Sequence, residues 1–426
     1  MTVHVIGGGL AGCEAAFYLL KRGYRVLLHE ARPNYDDQAH FTSLLGELVC
    51  SNSLKSKALD NACGLLKEEM RHMGSLTMEA AAASEVPAGN ALSVDRELFA
   101  RFNTAKLESF AALTIVREEV NGFSDEPTIL ATGPLTSPAM QETLSALLGQ
   151  KGLSFFDASA PIVSKASIDF SKAYFKSRYA QDDEAYINCP FTKEEYFAFV
   201  NELVGAKRAL LHDFDTRYFE GCLPVEVIAS RGVETLRHGP LKPFGLGREG
   251  YPRPYAVLQL RQDTKLGDYF NLVGFQTNLT YPEQKRVFSM IPGLEHAEFL
   301  RYGLMHRNTY IDSPRVLNED LSLKAKDNVY VAGQLSGVEG YVESAAMGIL
   351  AARNLDRKLR GLPFRPLSAK TMLGALTDYV LHYTGKRFEP MNANWALLPM
   401  VNKKDRLEAV AESLRLIDAF MEDEDE

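Results

Sequence analysis

The sequence contains little cysteine and no long apolar run. Its five cysteines are Cys13, Cys50, Cys63, Cys189 and Cys222. Their odd number and scattered positions, with no C-x-x-C pair, argue against a disulfide framework or a zinc site. No apolar run reaches about 18 residues, and the first residues form an apolar strand without a basic segment or cleavage site. We therefore expect free thiols, no metal site, no membrane segment and a cytoplasmic location.

The chain also lacks an overall positive charge. Its formal net charge is -8, and every residue from 422 to 426 is acidic. With 426 residues, 46% hydrophobic and 24% charged, it has the composition of a compact protein of two domains. The global charge does not indicate nucleic-acid binding, and no sequence feature indicates a stable protein partner.

The local charge differs between Arg231 and Lys265. This segment has seven Lys or Arg residues and three acidic residues. Such a basic segment is typical of a surface that contacts phosphates, but it is also typical of an ordinary solvated face. Charge alone does not decide between the two.

A glycine-rich turn follows the first strand. Residues 3–6 predict a strand, 13–22 a helix and 24–29 a second strand, so the turn lies in a βαβ unit. The glycines fit G-x-G-x-x-G, which permits a tight turn, close approach to a pyrophosphate and packing of helix on strand. Glu30 closes the second strand, where a carboxylate accepts hydrogen bonds from ribose hydroxyls. The predicted dinucleotide-binding residues are Gly7, Gly8, Gly9, Leu10, Ala11, Gly12 and Glu30.

A second match to the same motif, residues 245–250, lies among prolines. No strand precedes it and no helix follows, so we interpret it as a loop. The sequence thus shows no second dinucleotide fold for a nicotinamide cofactor.

Two later strand-then-glycine crossings favour FAD over NAD as the resident nucleotide. One runs from Thr128 to Gly133. The other runs from Val329 to Gly333 and continues through Gly340 and Tyr341 to a helix from about Glu343, whose N-terminus favours a phosphate or the polar edge of a flavin. We predict an α/β fold with a Rossmann-type, glutathione-reductase-like FAD-binding domain.

The two ends of the chain are expected to build this domain together. We place it at residues 1–160 and 312–426, with an inserted α+β domain at residues 161–311. In the insertion, the pattern predicts a helix near 193–203 and strands at 224–229, 256–261 and 271–276.

Long strings spread over essentially the whole chain resemble the folate- and FAD-dependent tRNA (uracil-5-)-methyltransferase family, TrmFO. Two differences from the family pattern are Phe41, in His40-Phe41-Thr42 where His-His-Thr is expected, and Trp395, where Phe is usual. The strings are GGGLAGCE (7–14), ELVCSNSL (47–54), NACGLLKEEM (61–70), VPAGNALSVDR (86–96), FEGCLPVE (219–226), TLRHGPLKP (235–243), QLRQD (259–263), LVGFQT (272–277), RYGLMHRNT (301–309), GQLSGVEGYVESAA (333–346) and PMNAN (390–394).

The resemblance implies that NADH or NADPH reduces FAD, and that the flavin carries a methylene group from methylenetetrahydrofolate to C5 of uracil in tRNA. The expected target is the T-loop uridine. A ribosomal RNA uridine, or the reaction of the related, larger wobble-uridine flavoproteins, stays open as an alternative, as does a non-catalytic RNA-binding flavoprotein. A plain disulfide reductase is disfavoured because it needs a paired cysteine motif.

Uracil C5 becomes nucleophilic once a thiolate adds at C6, so cysteines in the family strings are the catalytic candidates. We assign the C6 nucleophile to Cys222, beside the basic segment in the RNA and folate half. Cys50, in the flavin half, is assigned proton removal at C5 or protection of the flavin adduct, and Ser51 to Ser53 after it are expected to cap a helix. Tyr341 could stack with a pterin or pack into the sheet. Further polar candidates are Arg261, Arg286, His306 and Asn308.

Overall fold

The computed structural model describes residues 1–35, 37, 39–149, 153–178, 185–209, 223–248, 250–399 and 401–422, with backbone only at 153–157, 306 and 307. None of the described helices is both long and apolar enough to cross a membrane. The elements are β1 (Thr2–Ile6), α1 (Leu10–Lys21), β2 (Arg25–His29), β3 (Ser53–Ser56), α2 (Ala62–His72), α3 (Leu76–Ser84), β4 (Glu85–Val86), β5 (Ala91–Val94), α4 (Arg96–Glu108), β6 (Leu113–Val116), β7 (Thr128–Leu130), α5 (Pro138–Leu148), β8 (Leu153–Ala158), β9 (Ile162–Ser164), β10 (Tyr174–Phe175), β11 (Tyr186–Phe191), α6 (Lys193–Gly205), α7 (Val225–Ser230), α8 (Thr235–His238), β12 (Ala256–Gln262), β13 (Tyr269–Leu272), α9 (Tyr281–Phe288), β14 (Phe299–Arg301), β15 (Met305–Tyr310), α10 (Ser313–Val316), β16 (Ser322–Leu323), β17 (Lys326–Val331), α11 (Tyr341–Leu359), α12 (Met372–His382) and α13 (Arg406–Glu422).

A six-stranded sheet in the order β16-β17-β7-β1-β2-β6 combines both ends of the chain. Its pairs are parallel except for the antiparallel β16. Val3, Val5, Val329 and Val331 are fully buried, as expected for parallel strands covered on both faces. The predicted βαβ unit is confirmed, although α1 begins inside the glycine motif at Leu10.

Helices α1 and α11 pack closely beneath this sheet. A Cβ added at Gly348 would lie 2.2 Å from the carbonyl oxygen of Ala11, so only glycine permits the approach. This packing brings the N-terminal turn and the second glycine crossing together.

A second six-stranded sheet, β10-β11-β12-β13-β9-β14, is antiparallel. It packs against α6 through buried Tyr196, Phe199 and Leu203. The predicted helix at 193–203 and strand at 256–261 correspond to α6 and β12. The strand predicted at 271–276 ends at Leu272.

The strand predicted at residues 224–229 is wrong, because this segment forms helix α7. The alternating β-branched residues suggest a strand, but the backbone N–H groups of Val227 and Ile228 bond to the carbonyl oxygen of Pro224 and close a helical turn. The buried carboxylate of Glu226 in that turn accepts hydrogen bonds from Thr277 and from the backbone of Asn278.

Two hydrophobic cores follow the two large sheets. The first takes its residues from 3–144 and 310–420, and the second from 163–297. Strands β8 and β15 pair antiparallel as a two-stranded ribbon between these segments. The arrangement supports our proposal of domain boundaries near residues 160 and 312.

Candidate functional site

A cavity of about 380 Å³ opens where β1, β7 and β17 end. This size lies within the range of roughly 300–1,000 Å³ for small-molecule sites, and the carboxyl ends of parallel strands are their usual location. The structure brings almost all predicted cofactor residues and Cys50 to its wall. These lining residues are Gly7, Gly8, Gly9, Leu10, Ala11, Glu30, Cys50, Gly133, Gly333, Gly340 and Tyr341.

The glycines of the first turn have distinct roles. Gly7 has φ +108°, and a Cβ there would lie 2.3 Å from the carbonyl oxygen of Ala131. Gly12 does not line the cavity; a Cβ there would lie 1.8 Å from the carbonyl oxygen of Gly7, so it serves the packing of α1 on the turn. A Cβ at Gly9 would meet no protein atom within 4 Å and would project into open space. Gly9 is also the N-cap of α1, whose free N–H groups favour an anion.

Glu30 holds the turn as well as lining the cavity. Its Oε2 accepts from the backbone N–H of Gly8 at 2.9 Å and from Arg32 Nη2 at 3.0 Å. Its Oε1 accepts from the backbone N–H and Nε of Arg32 at 3.0 and 2.9 Å. Burial opposes the charge on Glu30, but the hydrogen bonds and charge of Arg32 keep its pKa below the usual value. All four lone-pair positions are engaged, so accepting from a ribose would require Arg32 to move.

Two buried side-chain oxygens on the cavity wall have no hydrogen-bond partner within the described chain. One is Oδ1 of Asn308, and the other is Oε2 of Glu343 in the first turn of α11. Oε1 of Glu343 accepts from Lys55 Nζ and from the backbone N–H of Ala393, both at 3.0 Å. Buried acceptors are rarely left unsatisfied, so both atoms indicate a ligand with hydrogen-bond donors.

These observations agree with FAD. The Gly9 space and the N-terminus of α1 suit a pyrophosphate. The unsatisfied acceptors and the first turn of α11 suit the polar edge of a flavin ring. Among the described His, Cys, Asp and Glu side chains, no group of three is placed to hold a metal ion.

Cys50 lies where the two halves of the molecule meet. Its backbone N–H donates to the hydroxyl of Tyr341 at 2.7 Å, and the N–H of Ser51 donates to the same oxygen at 3.2 Å. The Cys50 thiol donates to the carbonyl oxygen of Ala158 at 3.5 Å. Burial raises the pKa of Tyr341, so its hydroxyl stays neutral and accepts these bonds.

Two arginines hold the backbone around Cys50. Arg96, from the flavin half, donates to the carbonyl oxygens of Leu48 and Cys50 at 3.3 Å. Arg301, from the inserted half, donates to Val49 at 2.7 Å, and burial lowers its pKa to about 10.

Arg261 lies at the end of β12 and is buried. Its Nη2 donates to Ser51 Oγ at 2.7 Å and its Nε to Asn52 Oδ1 at 3.0 Å. The Cys50 segment, residues 48–52, is therefore fixed by side chains from both halves.

The predicted helix after Cys50 is wrong. Residues 53–56 form β3, and Asn52 donates to the carbonyl oxygens of Val94 and Gln262 instead of capping a helix. The field around Cys50 comes from arginine side chains and not from a helix dipole. Nothing in the local sequence indicated Arg96, Arg301, Lys55 or Glu343, since tertiary contacts bring them to the site.

The other candidates have different positions. Cys222 lies outside the described residues, and the side chain of His306 does too. Arg286 is on the surface and pairs with Glu202 and Glu283. No disulfide joins the described cysteines, of which Cys13, Cys63 and Cys189 are buried. These three belong to the hydrophobic cores.

Fold and site together define a Rossmann-type FAD-binding protein with an inserted α+β domain. The model of the family "Glucose inhibited division protein A" matches residues 2–363. Two solved structures of Aquifex aeolicus GidA share the fold, with TM-scores of 0.69 and 0.70 at 16% identity; both cover 98% of this chain and 73% and 76% of their own.

Curated relatives are much more similar in sequence. The methylenetetrahydrofolate–tRNA-(uracil-5-)-methyltransferase TrmFO of Desulforudis audaxviator is 55% identical over 93% of this chain and 91% of its own. The proteins of the same name from Moorella thermoacetica and Streptococcus uberis are 52% and 48% identical, covering 95% and 98% of this chain and 94% and 98% of their own. The chain belongs to the glucose-inhibited division protein A family and, within it, to the TrmFO group.

Proposed function

We propose that this protein is a methyltransferase that transfers a one-carbon unit from methylenetetrahydrofolate to C5 of a uridine in tRNA. The single observation that carries the proposal is the location of Cys50 on the wall of the cavity formed by the glycine turn. The 55% identity to a curated enzyme with this named activity supports it. The T-loop uridine is the proposed target.

FAD is the proposed resident cofactor, and when bound it supplies reducing equivalents and carries the one-carbon unit. The turn at Gly7 to Gly9 and the N-terminus of α1 would hold its pyrophosphate. A Cβ at Gly133 would meet no atom within 4 Å, so this glycine would leave room along the cavity, whereas Gly333 and Gly340 permit close packing against Ala11 and Glu343. Glu343 and Asn308 would accept hydrogen bonds from the ring system or the ribityl chain. NADH or NADPH is the proposed reductant and binds transiently, because the glycine match at 245–250 is a loop.

The two proposed catalytic cysteines have different roles in the reaction of the uracil. The Cys222 thiolate forms a bond to C6, which makes C5 nucleophilic enough to attack the one-carbon unit. Cys50 takes the proton from C5. The bond between the one-carbon unit and its carrier breaks as this proton leaves, which gives an exocyclic methylene at C5. A hydride, which bound FAD reduced by NAD(P)H would supply, adds to this methylene while the bond between C6 and Cys222 breaks and releases the thiolate.

The inserted domain is proposed to receive the RNA. The basic segment from Arg231 to Lys265 lies in it, and Arg261 connects this segment to Ser51 beside Cys50. Delivering the uridine to Cys50 requires the base to leave its stack, which costs a few kcal/mol. A cytoplasmic location is the corresponding proposal, since tRNA is the substrate.

The test incubates the purified protein with unmodified tRNA, NAD(P)H and methylenetetrahydrofolate labelled in its one-carbon unit. Nucleoside analysis of the digested RNA is expected to show label in 5-methyluridine. Labelled S-adenosylmethionine as the donor is the control and is expected to give none. A digest without labelled 5-methyluridine in the folate arm would overturn the proposal.

A further inference from the structure

An exposed loop in the inserted domain carries two aromatic rings beside cations. We define the aromatic loop as residues 240–248 and 250–254. Phe244 is 61% exposed and Tyr251 58% exposed. Lys242 Nζ lies 5.8 Å from the centre of the Phe244 ring, and the guanidinium of Arg248 lies 4.2 Å from that of Tyr251.

The loop is held in place from inside. Leu241 and Leu246 are fully buried and anchor it. Lys176 Nζ donates to the carbonyl oxygen of Gly247 at 2.6 Å, and Arg178 Nη2 donates to that of Lys242 at 3.0 Å. The hydroxyl of Tyr174 donates to the carbonyl oxygen of Leu246. The exposed rings therefore stand on an ordered backbone, so less entropy is lost when a partner binds.

The charge of the loop indicates the chemistry of the partner. Lys242, Arg248 and Arg253 are exposed, and none of them forms an ion pair within the part of the chain that is described. Exposed aromatic rings alternating with unpaired cations match a single-stranded nucleic acid, whose bases stack on rings while its phosphates meet cations. A protein partner would favour a continuous apolar patch, whereas here each ring is flanked by a cation.

The aromatic loop is separated from the Cys50 segment by one strand. Strand β12 begins at Ala256, directly after the loop, and carries Arg261 to Ser51 and Asn52 at its other end. The aromatic loop folds back along β12, because Arg178 Nη2 donates both to the carbonyl oxygen of Lys242 at 3.0 Å and to Gln259 Oε1 at 3.1 Å.

We propose that the aromatic loop is a second RNA contact, in which Phe244 and Tyr251 stack on unpaired bases of the tRNA other than the target uridine. The inference rests on the proposed function and specifies how its substrate is selected. RNA that offers unpaired bases at both points is bound tightly. A duplex lacks the stacking contact.

The test measures the Kd of the FAD-loaded, full-length protein for unmodified tRNA by filter binding. Tyr251→Ala and Phe244→Ala are each expected to raise the Kd about tenfold, the value of one stacked base. Tyr251→Phe keeps the ring and is expected to bind like the wild type. Tyr281→Ala is the matched control, because Tyr281 is 51% exposed in the same domain but lies on α9.

A blunt RNA duplex is the second probe, and its Kd is expected to be the same for the wild type and for Tyr251→Ala. Wild-type affinity of both alanine variants for tRNA would overturn the inference. An equal loss on the duplex, or a loss in Tyr251→Phe, would overturn the stacking contact. Flavin absorbance and melting temperature identify a variant that fails to fold. If Tyr251→Ala fails to fold, the Kd values of Tyr251→Phe and Phe244→Ala decide whether the rings contact the RNA.

This test is separate from that of the proposed function. If the wild type binds tRNA but produces no 5-methyluridine, the proposed function fails and the Kd comparison still stands. If the wild type methylates tRNA and the alanine variants keep its KM for tRNA, only the proposed RNA contact of the aromatic loop is refuted. A rise in KM for tRNA with unchanged kcat at saturating tRNA is the kinetic result expected.

Discussion

The hydroxyl of Tyr341 accepts the backbone N–H of Cys50 at 2.7 Å, across 291 positions of sequence. Tyr341 begins α11 in the C-terminal part of the chain, whereas Cys50 follows the N-terminal βαβ unit. The same oxygen accepts from Ser51. Tyr341 thus sets the backbone that carries the Cys50 thiol, in addition to lining the cavity.

Replacing this hydroxyl tests its positioning role. Tyr341→Phe leaves the N–H groups of Cys50 and Ser51 without their acceptor, and an unsatisfied buried donor costs about 1–3 kcal/mol. We expect kcat for methyl transfer to fall about tenfold, from that loss of about 1.4 kcal/mol, with FAD still bound. Activity is measured in the Tyr341→Phe single variant. Alkylation of Cys50 is compared with and without Tyr341→Phe in proteins that also carry Cys222→Ser. An unchanged alkylation rate with lower kcat would assign Tyr341 to substrate binding instead.

The glycine turn offers a matched pair of variants. Gly12→Ala forces a Cβ to 1.8 Å from the carbonyl oxygen of Gly7, so we expect a large loss of stability. Gly9→Ala meets no protein atom within 4 Å, and its φ of -75° suits alanine. It is expected to keep the melting temperature of the FAD-free protein and to weaken FAD binding at least tenfold. Normal FAD affinity in Gly9→Ala would refute the placement of the pyrophosphate.

Variants of the two proposed catalytic cysteines are expected to lose activity at different steps of the reaction. Cys222→Ser removes the C6 nucleophile, so methyl transfer is lost while FAD stays bound and is reduced by NAD(P)H. Cys50→Ser is expected to slow proton removal from C5, which release of tritium from 5-tritiated uridine in tRNA measures. Cys189→Ser serves as the control, since Cys189 is buried in the second core. Undiminished methylation by Cys222→Ser would refute its assignment.

Stability is expected to depend on pH through Glu69. This buried carboxylate accepts from Ser413 Oγ and from the backbone N–H groups of Met372 and Leu373 at the start of α12. Burial outweighs these bonds and raises its pKa from 4.5 to about 7. The pKa of Glu69 is higher in the folded state than in the unfolded state, so its protonated form stabilises the fold. This contribution to stability is complete below about pH 4.3 and is lost as pH rises through 7.

The comparison for Glu69 uses its neutral isostere. Between pH 5.5 and 8.5, the melting temperature of the wild type is expected to fall by a few degrees more than that of Glu69→Gln, which corresponds to at most about 3 kcal/mol. Glu412→Gln, an exposed change on α13, is the control. Parallel pH curves for the wild type and Glu69→Gln would contradict the assigned pKa.

Local patterns were enough for the elements whose geometry is set by neighbouring residues. The turn at Gly7, helix α6 and strand β12 are examples. Local patterns gave wrong predictions where a contact with a distant residue decides the secondary structure. Val225 to Ser230 alternates like a strand, but the turn closed on Pro224 and the contact of Glu226 with Thr277 make it a helix. Ser51 to Ser53 resembles a helix cap, but Asn52 and Ser51 are bound by Arg261 from the inserted domain.

The sequence by itself determined the nucleotide-binding turn and its βαβ unit, because glycine spacing and apolar periodicity act over short distances along the chain. The family was indicated by the strings that resemble TrmFO. Only the tertiary structure decided how Cys50 is held, which acceptors on the cavity wall lack partners, and where the aromatic loop stands relative to the site. The position of Cys50 depends on contacts that residues 48–52 make with Arg96, Arg261, Arg301 and Tyr341. Contacts between residues hundreds of positions apart are set by the packing of two domains, which no local pattern records.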